Sequence, residues 1–235
     1  MNLLSRIWSR EGPGVPKHEA PKTGLALLGA TIRREAGDLL GLNLMIVVAS
    51  LPLITLPAAL AAGAHVAIEM LEDRPIYLWR QYWRAFADCF VRATGYGLAL
   101  MFLITGALWT TWIYGQLASH HLVFVPLLVI GACVALALTV LALHVILRIA
   151  EEKRGRPGLL RRAALGALTR PLATLVGLGA AALLWGSVLV FYPVTVLLAA
   201  TYLFSFSILV VTFAARPGGI PRVVKDHSST LEETK

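Results

Sequence analysis

Residues 43–62 read NLMIVVASLPLITLPAALAA: twenty positions without a charge, interrupted by Pro52 and Pro57. About 20 apolar residues is the length that crosses the roughly 30 Å hydrocarbon core of a bilayer. The stretch therefore reads as membrane-embedded. The rest of the chain is placed relative to it, with a basic tail before it, an arginine- and aromatic-rich stretch after it, and then four more apolar segments.

The apolar run around this stretch, residues 38–68, has an awkward length. As a single helix it measures about 46 Å, too long for one crossing, while two full crossings need roughly 40 residues. Each proline removes a backbone donor and crowds the preceding turn. The segment is either one kinked crossing with an overhang or a re-entrant helix–break–helix. Interrupted backbone at membrane depth is tolerated only where protein or a wet cavity covers it. Ser50, Pro52, Thr55 and Pro57 are accordingly candidates for lining a functional cavity. The plainer reading is a structural kink whose freed groups are repaired by Ser50 and Thr55.

Composition agrees with a lipid-solvated chain. Of 235 residues, 57% are hydrophobic and 14% charged, with a mean hydropathy of +0.73; soluble domains average about 45–50% apolar and about 25% charged. The net charge of +8 does not point to nucleic acid. The basic residues fall between apolar segments, where they orient the chain and meet anionic headgroups. Cys89 and Cys133 lie in different segments without a CxxC partner, so no disulfide framework is implied.

In order, residues 1–34 form a basic tail in which Leu3, Leu4, Ile7 and Trp8 recur at helical spacing. Residues 35–215 form one helical membrane domain, and residues 216–235 a polar tail expected to be mobile. The apolar segments run over about 38–68, 95–117, 122–147, 171–191 and 194–215. Between the first two, residues 75–93 read as an interfacial helix, with Asp73 as its cap and Pro75 in its first turn. Trp79, Tyr82, Trp83, Phe86 and Phe90 share one stripe, and Arg80, Arg84, Asp88 and Arg92 form an i,i+4 ridge behind it, where Asp88 can pair with either neighbouring arginine. Aromatics backed by arginines suit a helix lying in the headgroup plane, so Trp79, Arg80, Trp83, Arg84, Phe86, Asp88 and Arg92 are candidates for lipid or partner contact. A second short surface helix is expected within PGLLRRAALGALTR, residues 157–170. Gly131, Ala135 and Thr139, and likewise Ala173, Gly177 and Ala181, make rows of small residues that admit a close helix.

Basic residues set the orientation. Lys and Arg number six in 1–37, four in 69–94, seven in 148–170 and four in 216–235, with none in the turns at 115–121 and 192–193. The loops at 69–94 and 148–170 and the C-terminus are thus expected in the cytoplasm. A single crossing by 38–68, the simpler arrangement with five spans, would leave the basic N-terminal tail outside, against the rule. A re-entrant first segment removes that conflict.

No constellation specifies a reaction. His65 and Glu69 stand i,i+4 near the end of the first segment; they suit a shared proton or a metal contribution, and more plainly an interfacial hydrogen-bonded pair. There is no HExxH, Walker loop or Gly-x-Ser-x-Gly elbow. No catalytic residue, cofactor or metal is expected, and the chain is read as a non-enzyme.

Three stretches carry a family resemblance: EGPGVPK (11–17) with APK (20–22), the core LNL…SLPLIT-PAALAA (42–62), and RPIYLWRQYWRAFADCF (74–90). Together they resemble the YesL family of bacterial polytopic membrane proteins, over roughly residues 5–95. The glycine often placed between the threonine and the second proline is Leu56 here. The resemblance implies a multi-pass protein of the bacterial cell membrane, of a kind often linked to carbohydrate uptake, and supplies no catalytic residues. The resulting expectation is an all-α integral membrane bundle of about five apolar helices plus one or two interfacial amphipathic helices, acting as an accessory or regulatory component beside solute transport. Transporter permease subunits are the partners implied. A small transporter or channel, with the Pro52–Pro57 break along its path, is the alternative.

Overall fold

The computed structural model describes residues 25–72, 74–152, 157–169, 171–191 and 199–216. The amphipathic stretch at 3–8, the Asp73 cap, the turn at 192–193, part of the 148–170 loop and the tail beyond 216 lie outside the described residues. Among those described, all regular structure is helical, in eight α-helices with short 3₁₀ and π pieces.

Helix α1 (Leu25–Arg34) ends on Arg33 and Arg34, which suit the negative end of its dipole. Helix α2 (Ala36–Ser50) follows after Glu35. The chain then breaks at Leu51 and Pro52, makes a 3₁₀ turn (Leu53–Thr55), and starts α3 (Leu56–Leu71) with Pro57 in its first turn, where a missing N–H costs nothing. Residues 38–68 are therefore not one kinked helix. Leu39, Leu42, Ile46 and Ala49 of α2 share a core with Ala59, Ala62, Val66, Ala67 and Met70 of α3. Arg34 Nη2 donates to the Met70 carbonyl at 3.3 Å. The two arms fold back on each other, and the start of α2 meets the end of α3. A single kinked crossing, and the count of five spans that rests on it, gives way to a hairpin.

Helix α3 occupies the centre. Its alanines at 58, 59, 61, 62, 64 and 67 are all buried, and a helix apolar on every face is one surrounded by protein. The small side chains let neighbours crowd in from several sides. α2 comes against it at Gly63 through Ile46, and the last helix through Ile208.

Helix α4 (Leu78–Ala118) runs unbroken for 41 residues, about 62 Å. The expected interfacial helix at 75–93 and span at 95–117 are thus one element. Gly95 and Gly97 cost only about 1 kcal/mol each as helix residues, and Tyr82, Ala85, Cys89, Ala93 and Leu100 continue a buried face through the expected junction. The first stretch stands coaxial with the span and does not lie in a headgroup plane of its own. After a 3₁₀ turn (Leu122–Phe124), α5 (Val125–Glu151) returns alongside. Gly131 of α5 receives Thr111 of α4, and Cys89 Sγ reaches the Ile149 carbonyl at 3.7 Å.

Helix α6 (Leu159–Thr169) is the second short helix expected from sequence, and it buries Leu159 and Ala163 against α4 and α5. Helix α7 (Pro171–Val190) packs on α8 (Phe204–Ala215), with Gly177 against Ala214 and the rings of Trp185 and Phe204 5.0 Å apart. A π turn (Ala199–Leu203) leads into α8. Four segments are long and apolar enough to cross a membrane: Leu53–Leu71, Leu78–Ala118, Leu122–Glu151 and Pro171–Val188. The chain is a multi-pass helical membrane protein.

Candidate functional site

The break is held by its own hydroxyls. Thr55 Oγ1 lies 2.5 Å from the Ala49 carbonyl and 2.7 Å from that of Pro52, while Ser50 Oγ donates to the Val47 carbonyl at 2.9 Å. These are carbonyls that the broken helix leaves without regular partners. Pro57 is buried and packs where a Cβ on Gly97 would sit, which brings α3 hard against α4. Leu51, Pro52, Leu53 and Ile54 face outward. Ser50, Pro52, Thr55 and Pro57 are together in space, with both hydroxyls committed to backbone and an apolar tip. None of the four lines the large apolar cavity that lies between α2 and α7.

His65 and Glu69 are also brought together, His65 Nε2 lying 3.6 Å from Glu69 Oε1. His65 Nδ1 is 2.8 Å from the Ala150 carbonyl of α5. A carbonyl only accepts, so Nδ1 carries the hydrogen. The second Glu69 oxygen is buried without a hydrogen-bond partner. No group of three or more His, Cys, Asp or Glu side chains is placed to hold a metal ion among the described residues.

The surface of α4 divides differently from the expectation. The aromatic stripe turns inward: Tyr82 is fully buried, and Trp83 and Phe86 pack against the core shared by α2 and α3. The rings form a ladder, with centroids 5.8 Å apart for Trp79–Trp83, 5.6 Å for Trp83–Phe86 and 5.5 Å for Phe86–Phe90. Of the stripe's candidates for lipid contact, Trp83 and Phe86 are therefore core residues, and only Trp79 stands exposed. Arg80, Arg84 and Asp88 point away from the bundle. No ion pair joins Asp88 to either arginine among the described residues. Arg92 leaves the ridge and donates to the Glu152 carbonyl at 3.1 Å, clamping α4 to the end of α5.

Charged groups the sequence reading did not single out gather at that same end. Glu152 takes a two-pronged hydrogen bond from Arg162 of α6, at 2.6 and 3.2 Å. Arg216 bridges Glu72 at 2.9 Å and Glu151 at 3.3 Å, tying the ends of α3, α5 and α8 together. Asn43, fully buried on α2, accepts the backbone N–H groups of Phe204 at 2.9 Å and Ser205 at 3.2 Å. A charge-free run holding a single asparagine was the available signal for Asn43. Nothing local marks the ion pairs, because their partners lie far apart in sequence.

The segment holding the hairpin and most of α4 is also the segment that comparison picks out. Residues 39–113 match a YesL-like family model described as a protein of unknown function, DUF624. The match covers about a third of the chain. No curated protein and no solved structure matches the chain.

Proposed function

We propose that this chain is a non-enzymatic accessory component of a bacterial cell membrane, presenting the outward ridge of α4 to a partner of a solute-transport system. The observation that carries this reading is the ridge itself. Arg80, Arg84 and Asp88 are exposed and unpaired on a helix about twice as long as a span requires. Charges left free on a rigid, projecting element suit recognition and steering of a complementary surface. The resemblance to a family linked to carbohydrate uptake supports transport as the setting and permease subunits as the partner.

The hairpin supports an orientation with the charged end in the cytoplasm. With α2 and α3 folded back, the basic N-terminal tail, the 69–94 stretch and Arg216 belong to one end, and the charge bias no longer conflicts with itself. The C-terminus is cytoplasmic in this arrangement. A small transporter or channel along the Ser50–Pro57 break finds less support, since that break offers committed hydroxyls and an apolar tip.

The test is Arg80→Glu with Arg84→Glu, purified from native membranes in a mild detergent beside the unchanged protein. The reading expects a co-purifying membrane partner to fall at least tenfold while thermal stability is retained. Equal recovery of every partner from both proteins would sink it.

A further inference from the structure

Helix α7 leans on α8 and stands off from the start of the chain. Between it, the α1–α2 joint and the π turn lies a cavity of about 340 Å³, lined by Ile32, Leu39, Leu184, Val188, Leu203 and Phe206. Ser187 also borders it, but its hydroxyl is spent on the Leu184 carbonyl at 2.7 Å. Apolar cavities of this kind stay dry, and an empty one leaves its lining without dispersion partners on one side. The volume falls at the lower end of the range for ligand pockets. Around helices whose solvent is lipid, the apolar matter at hand is an alkyl chain. Beside Ile32 stands Arg33, exposed and without a partner among the described residues, and Tyr202, on the same wall, brings a phenolic donor.

The geometry points to a phospholipid site, with one acyl chain in this cavity and an anionic headgroup on Arg33. The site is separate from the α4 ridge, so it stands or falls independently of the proposed partner.

The test uses the full chain, stripped of lipid in detergent and titrated with phosphatidylglycerol or phosphatidylcholine of identical chains under native mass spectrometry. The unchanged protein is expected to retain one phosphatidylglycerol. Ala36→Leu and Ser187→Phe, which fill the cavity, lower that retained fraction at least tenfold. Arg33→Gln keeps lipid but lowers the preference for the anionic headgroup about fivefold, the effect of one arginine at an anionic surface. Should Ala36→Leu fail to fold, Ser187→Phe on the outward side of α7 decides. A monodisperse filled variant that keeps lipid like the unchanged protein, or an unchanged protein that retains none, overturns the acyl-chain site. An unaltered headgroup preference in Arg33→Gln overturns the assignment of Arg33.

Discussion

The side-chain oxygen of Asn43 sits 2.9 Å from the backbone nitrogen of Phe204, 161 residues further along the chain. It also takes the N–H of Ser205, so one amide serves two donors where the π turn passes into α8. In a fully buried setting those donors have no water to fall back on. Asn43→Leu is expected to lower stability by about 1–3 kcal/mol, the cost of stranding buried polar groups. Thermal unfolding in detergent should show a clearly lower Tm, and an unchanged Tm would show that the tie contributes nothing.

The fold-back of α2 on α3 places Arg33 and Arg74 on one side of the membrane. Single cysteines at these positions, in a background with Cys89→Ala and Cys133→Ser, should be labelled by an impermeant thiol reagent from the same face. A cysteine at His121, in the turn between α4 and α5, should be labelled from the opposite face. Labelling of positions 33 and 74 from opposite faces would restore a single crossing.

Two nearby glycines of α4 should behave differently. A Cβ at Gly97 would collide with the buried ring of Pro57, while one at Gly95 meets nothing within 4 Å. Gly97→Val is expected to cost about 1–3 kcal/mol through overpacking. Gly95→Ala should be neutral or stabilising by about 1 kcal/mol, since alanine is the better helix former. Equal Tm values for the two variants would mean that the α3–α4 approach at Pro57 is not tight.

Thr55→Val keeps shape and removes the hydroxyl shared by the Ala49 and Pro52 carbonyls. A loss of about 0.5–1.5 kcal/mol is expected, the usual worth of one hydrogen bond. Ser50→Ala, which removes only the bond to Val47, should cost less. If Thr55→Val were as stable as the parent, the carbonyls at the break would have to be satisfied without it.

The helical class, the apolar segments, the break at Pro52 and the pairing of His65 with Glu69 were legible because each is local: a run, a proline or an i,i+4 spacing. What was not legible depended on partners distant in sequence. The charge count exposed the conflict over the N-terminal tail, but the burial of Leu39 and Ile46 against Ala62 and Val66 decides it. Periodicity placed Trp83 and Phe86 on one face of α4 without saying what that face meets. An aromatic stripe suits a headgroup layer and a protein interior equally well, and the alanines of α3 supply the interior. The two glycines at 95 and 97 looked like a joint, yet continuous packing on Ala93 and Leu100 carries the helix through.

The contact between Gly97 and Pro57 falls close to the midpoint of α4. In mechanical terms the helix is a beam resting on a central pivot, with Arg84 on one arm and Trp109 on the other. A rigid beam cannot be pushed at one end in isolation. Whatever docks on the arginine arm and tilts it must swing the tryptophan arm the opposite way across the bilayer, carrying α5 along with it. The unbroken backbone at Gly95 thus turns a surface for recognition into the handle of a lever.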